Sequence, residues 1–184
     1  MKNVQPDGIY VVDLNLPNRK KLLEQWYNQI KSEHLWKDLE LWAGVLLSEL
    51  SEMEQPYFIH DSSRYGSQVD AIVHVKRDEI IIIEAKEWRS KVQSKIINEF
   101  SSKMDTFNSK LGFIVTTNEI TKDNGALDTI KRLSAQNKFI VPLEDRAIRK
   151  FFESKLSIRE FLNKIILIAK LYPEKLTSNF IEDV

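Results

Sequence analysis

Four consecutive isoleucines, Ile80 to Ile83, run directly into Glu84-Ala85-Lys86. β-Branched side chains favour extended backbone. A run that is apolar on both faces reads as a central strand, Glu79–Lys86, with cover on each side. The rest of the chain supplies that cover. Leu22, Leu23, Trp26, Tyr27 and Ile30 recur at helical steps after Pro17, with Asn15 or Asn18 as the cap. A second helix is expected from Leu35 to Met53, on the stripe Leu35, Leu39, Trp42, Leu46, Leu50 and Met53. Further helices are expected over Val92–Asn108, Thr121–Gln136, from Glu144 onward, and Ser157–Tyr172, the last stopping before Pro173. Strands are expected at Ile9–Val12, Tyr57–His60, Val69–Val75, Leu111–Thr116 and Lys138–Val141, with Asp61–Gln68 as a polar turn and Pro142 at a joint. The order describes an α/β chain whose mixed sheet lies between helices.

Composition narrows the chemistry. The 184 residues are 42% hydrophobic and 29% charged, which fits one soluble domain and excludes a disordered or fibrous chain. There are no cysteines, so disulfides, thiolate zinc sites and a cysteine nucleophile are excluded together. Basic and acidic residues balance at 27 each, so positive charge meant for a polyanion must be local. His34, His60 and His74 are too dispersed for a compact motif, and His60-Asp61 reads as loop chemistry. The N-terminus shows no apolar leader core. The apolar run Ile165–Ala169, flanked by Lys164 and Lys170, is too short for a bilayer. The expectation is a cytoplasmic protein with no membrane contact.

The acidic ends of these strands carry the functional signal. Alternation puts Glu84 and Lys86 on one face, with Ala85 opposite. An ionised group beside a buried run is costly unless it is paired or bound to a metal. Strands 69–75 and 80–86 are close enough to form an antiparallel hairpin. A three-residue loop, Lys76-Arg77-Asp78, sets Asp70 opposite Glu84, whereas a two-residue loop would send the two carboxylates to different faces. Opposed carboxylates repel unless a hard, oxygen-seeking divalent ion holds both. On the helix before them, periodicity leaves Glu40 and Glu49 on opposite edges of the apolar stripe and does not choose between them.

Asp70, a hairpin's length and Glu84-Ala85-Lys86 together resemble the signature of the PD-(D/E)XK nuclease superfamily, in its Mrr-type restriction endonuclease branch. The likeness spans Leu35 to Ser154. It includes the helix Leu39-Glu40-Leu41-Trp42-Ala43, Trp88, Val92, Glu99-Phe100, the strand Gly112-Phe113-Ile114-Val115-Thr116-Thr117, and Phe139-Ile140-Val141-Pro142-Leu143. Val69 replaces the proline of the superfamily name, and residues 1–34 leave no room for a separate DNA-binding domain. The resemblance implies a restriction-endonuclease-like mixed sheet flanked by helices on both faces. Extra helices would lie at each end, in residues 1–34 and 155–184, making a single domain over 1–184.

The same resemblance implies that Asp70 and Glu84 ligate Mg²⁺, or Mn²⁺ in its place, with the Ala85 carbonyl as a further ligand. Lys86 would position or deprotonate the attacking water, and Glu40, chosen over Glu49 by the likeness alone, would stand at the metal's edge. Among neighbouring residues, Trp88, Arg89, Gln93 and Lys95 are the candidates for nucleic-acid contact. Residues 86 to 110 hold six basic side chains against three acidic ones. Trp88 either stacks on a base or anchors the core, and His74 reads as a core histidine. The implied activity is metal-dependent hydrolysis of DNA in restriction or defence. Two-fold assembly is expected, since cutting both strands takes two sites, and a protein partner in a defence system is a further expectation. Two other readings stay open: a catalytically silent subunit that binds nucleic acid or protein, and a branched-DNA, repair or RNA nuclease of the same superfamily.

Overall fold

The structure is a computed structural model and describes residues 3–4, 8–86, 92–117 and 124–176. One sheet runs in sequence order through β1 (Asn3–Val4), β2 (Ile9–Val11), β3 (Tyr57–Arg64), β4 (Ser67–Lys76), β5 (Glu79–Lys86), β6 (Leu111–Thr116) and β7 (Phe139–Glu144). Strands β1 to β5 are antiparallel neighbours, while β5, β6 and β7 are parallel. Parallel pairing needs a crossover. Helix α3 (Ser94–Phe107) connects β5 to β6, and α4 (Asn124–Ser134) connects β6 to β7. Helices α1 (Arg19–Glu33) and α2 (Trp36–Leu47) lie between β2 and β3, and α5 (Asp145–Glu153) and α6 (Ile158–Leu171) follow β7. No helix of the described residues is long and apolar enough to cross a membrane.

Register shows which helix covers which face. Phe58, Val73, Ile81 and Leu111 align across β3 to β6. A Cβ on Gly44 of α2 would lie 2.5 Å from the Phe58 ring, so this is the α2 face. Ile59, Ile72, Ile82 and Gly112 align with the opposite pleat. A Cβ on Gly112 would lie 2.6 Å from Phe100 of α3, so this is the α3 face. Ile81, Ile82 and Ile83 are buried between the two layers, and each contributes about 2 kcal/mol. The sheet is therefore mixed and flanked by helices on both faces, as the sequence implied. Helix α1 docks outside α2. Tyr27 packs 4.9 Å from Trp42 and donates a 2.8 Å hydrogen bond to Asp145 at the start of α5, while Trp42 Nε1 donates to the Leu23 carbonyl at 2.9 Å.

The β4–β5 hairpin keeps the expected register by a different route. Ala71↔Ile83, Ile72↔Ile82, Val73↔Ile81 and His74↔Ile80 form one ladder, and continuing it sets Asp70 opposite Glu84. The loop, however, is not Lys76-Arg77-Asp78: Lys76 pairs with Glu79 and leaves Arg77-Asp78 as a two-residue turn. A bulge between His74 and Lys76 restores the phase that a two-residue turn alone would have shifted.

Other boundaries also move. Helix α2 stops at Leu47 rather than Met53, because residues Ser48–Leu50 tighten into a 3₁₀ turn. Ser51 then anchors to the His74 carbonyl at 2.7 Å. The stretch expected as a polar turn is mostly strand, since β3 runs on to Arg64 and the turn is Tyr65-Gly66, both at positive φ. Pro142 lies inside β7 instead of beyond it; β7 ends the sheet, where a missing N–H leaves no ladder bond unmade. Asn18 occupies the cap position of α1 in the left-handed region, yet its side chain makes no capping bond.

Candidate active site at the strand ends

Asp70, Glu84 and Lys86 share the α3 face near the ends of β4 and β5. The Asp70 carboxylate accepts a 2.7 Å hydrogen bond from the Ala85 backbone N–H. Glu84 is 5% exposed and accepts from two amines: Lys86 on one oxygen, and Lys103 of α3 on the other at 2.7 Å. Lys86 itself is half exposed, so its amine reaches both the buried carboxylate and solvent.

The electrostatics follow from this arrangement. Burial raises the Asp70 carboxyl, the charge of Glu84 raises it further, and the Ala85 N–H only partly offsets them, leaving it at about 7. Burial alone would lower the Lys86 ammonium, but its bond to Glu84 and the charges of Glu84, Asp70 and Glu40 outweigh that and raise it. Lys86 is therefore a cation at neutral pH. Two carboxyl groups facing each other across the hairpin, with hard oxygen donors and no sulfur, fit a Mg²⁺-like ion. A cation between them would offset the Glu84 charge, which after burial is the second cause that raises Asp70.

Glu40 is brought near without joining the trio. It projects from α2 and accepts a 2.9 Å bond from Nε2 of His60 on β3, whose partner across the ladder, Ala71, belongs to the α2 face. Its charge acts on both Asp70 and Lys86. Glu40, His60 and Asp61 offer ligand atoms within 4.8 Å of one another. The expected four-ligand set thus divides into Asp70 and Glu84 on the α3 side and Glu40 in a neighbouring cluster. Ala85 is buried, and it meets the trio through the backbone N–H it donates to Asp70. The reading of His60-Asp61 as loop chemistry is corrected, because both lie in β3 and His60 is tied to Glu40. The bond to Glu40 raises the His60 pKa, burial opposes it, and Asp61 adds to the rise.

Glu49, the alternative on α2 periodicity, is committed elsewhere: it pairs with Arg19, whose guanidinium also donates to the Val45 carbonyl at 2.7 Å. His74 shares the site's face but stacks on Tyr57 at 4.9 Å, and burial lowers its pKa. Gln93 is the exposed N-cap residue of α3, and Lys95, 83% exposed, pairs loosely with Glu99 at 3.9 Å. Trp88 and Arg89 lie outside the described residues.

Sequence reasoning counted Lys103 only among the six basic residues between 86 and 110 and did not bring it to Glu84, although a signal was present. Ile96, Phe100, Lys103 and Phe107 fall on one helical stripe. A lysine on an apolar stripe needs an anion to meet, and Glu84 is that anion.

A family model described as restriction endonuclease, the Mrr catalytic domain, matches residues 33–137. The matched stretch is more than half of the chain and contains Glu40, His60, Asp70, Glu84, Lys86 and Lys103. No curated protein and no solved structure gives a match.

Proposed function

Because the chain belongs to the Mrr-type restriction endonuclease family, we propose that it hydrolyses DNA phosphodiester bonds with a divalent cation, Mg²⁺ or Mn²⁺, held by Asp70 and Glu84. One observation supports this reading above the others. A carboxylate only 5% exposed ends the central strand with an amine bonded to it, and a second carboxyl, raised to about 7, faces it across the hairpin.

When bound, such an ion supplies a nucleophilic water near neutral pH and charge stabilisation at the phosphoryl oxygens. The chain's own residues do the rest. Asp70, oriented by the Ala85 N–H, and Glu84 would provide hard oxygen ligands to the ion. Lys86, held as a cation, orients the attacking water and faces the negative charge developing on the phosphoryl oxygens. Glu40, with His60 behind it, adds negative charge at the metal's edge. Gln93 and Lys95, at the exposed start of α3, together with Trp88 and Arg89, provide contacts along the nucleic-acid backbone. A two-fold assembly would cut both strands of a duplex. Service in cytoplasmic defence against foreign DNA, alongside a partner protein of that system, is the biological setting that fits.

The test is Mg²⁺- and Mn²⁺-dependent cleavage of plasmid, linear and single-stranded DNA by wild type, Glu84→Ala and Lys86→Ala, with folding checked by circular dichroism. Wild type is expected to cut and both folded variants to lose at least a hundredfold in rate. Equal cleavage by all three would overturn the assignment. Metal-independent DNA binding without cleavage by any form would favour the silent subunit.

A further inference from the structure

Glu84 holds one amine more than the resemblance accounts for. Lys103, two turns into α3, places Nζ 2.7 Å from Glu84 Oε2, while Lys86 occupies Oε1. The two lysines differ in setting: Lys86 is 50% exposed and Lys103 26%. Between them lies a pocket of about 120 Å³ bounded by Glu84, Lys86, Ile96, Glu99, Phe100 and Lys103. Its lining combines apolar Ile96 and Phe100 with two lysines, Lys86 and Lys103, and two carboxylates, Glu84 and Glu99.

A carboxylate that must ligate a divalent ion is thus already neutralised on both oxygens. Asp70, its neighbour across the hairpin, accepts instead from the Ala85 backbone N–H and, among the described residues, no amine is bonded to it. Lys103 therefore occupies Glu84 in place of the ion's charge, on the oxygen turned toward α3. A cation bound by Glu84 would meet both the repulsion of this ammonium and its claim on the lone pairs. Displaced from Glu84, the amine would remain beside Lys86 at the pocket, where an anionic phosphoryl oxygen is a fitting partner.

We propose that Lys103 is a positioning residue that holds Glu84 in the metal-free site, competes with the divalent ion for that carboxylate, and then contacts a phosphate of the nucleic acid. The inference rests on the metal-dependent nuclease reading. Helix α3 suits the task, since Phe100 and Met104 pack it against Gly112 of β6 and fix the height of the amine above the strand end.

The experiment is calorimetric titration of the full chain with Mn²⁺ in the absence of DNA, followed by steady-state cleavage. Wild type is compared with Lys103→Gln, Lys103→Arg, Glu84→Gln and, as a charge control, Lys138→Gln, which alters the ion pair with Asp105 of the same helix. Lys103→Gln is expected to bind Mn²⁺ about tenfold more tightly yet to cleave with kcat/KM lowered by at least about tenfold. Lys103→Arg should return both values toward wild type, and Lys138→Gln should bind Mn²⁺ as wild type does. Unchanged or weaker Mn²⁺ binding by folded Lys103→Gln overturns the competition, as does equal tightening in Lys138→Gln. Tighter binding with undiminished cleavage overturns the phosphate contact. Failure of the underlying reading looks different: Glu84→Gln would then bind Mn²⁺ and cleave as wild type does.

Discussion

Replacing Asp70 with Asn should stabilise the metal-free protein while removing its response to metal. The Asp70 carboxyl sits at about 7 in the folded chain against an ordinary 3.8, through burial first and the charge of Glu84 second. The folded state therefore binds this proton more tightly than the unfolded state does. The stability it contributes is fully present below the unfolded value near 3.8 and is lost as pH rises through about 7. At 1.36 kcal/mol per pH unit the full gap corresponds to about 4 kcal/mol. Solvent reaching the partly buried carboxylate lowers that to about 2 kcal/mol. Asn keeps an oxygen to accept the Ala85 N–H and carries no charge. In urea denaturation at pH 8 with chelator, Asp70→Asn should exceed wild type by about 2 kcal/mol, equivalent to about 4–8 °C in Tm for a chain of this size. The advantage should shrink steadily toward pH 4. Millimolar Mg²⁺ should then raise wild type and leave the variant unmoved. A variant no more stable than wild type at pH 8 would refute the electrostatic reasoning, and one that still gains from Mg²⁺ would remove Asp70 from the site.

Two further changes probe the surrounding scaffold. Gly112→Ala places a methyl 2.6 Å from Phe100 and should cost about 1–3 kcal/mol by overpacking, read as a lower urea midpoint with unchanged slope. His60→Ala leaves Glu40 without its 2.9 Å partner and should cost about 1–3 kcal/mol at pH 6. Because the bond to Glu40 raises the His60 pKa, this stabilisation is complete below about 6.5 and fades as pH rises through the higher folded value. The wild-type advantage over His60→Ala should accordingly be smaller at pH 8.5 than at pH 6 in denaturation measurements.

What could be read from the chain, and what could not, divides by range. Local periodicity located the isoleucine strand, β6 to the residue, and the start of α6, where Ser157 and Glu160 form a capping box. The assumption of a three-residue loop placed Asp70 opposite Glu84. That pairing survived the incorrect loop because a bulge and a two-residue turn together shift the phase as a three-residue loop would. The contacts that complete the site are tertiary. Lys103 meets Glu84 from another layer, and His60 meets Glu40 across the β3–α2 interface. Periodicity left Glu40 and Glu49 undecided because the partner that occupies Glu49, Arg19, lies on another helix and no helical period reveals it. Pro142 misled because a proline reads as a boundary, and only the place of β7 at the sheet's end makes it tolerable inside a strand.

The most direct examination is an anomalous difference map from crystals of the full chain soaked in Mn²⁺. The account predicts a peak at coordination distance, about 2.0–2.2 Å, from carboxylate oxygens of both Asp70 and Glu84, with Lys86 beside it. A peak confined to Glu40, His60 and Asp61, or none near the hairpin at millimolar Mn²⁺, would contradict it.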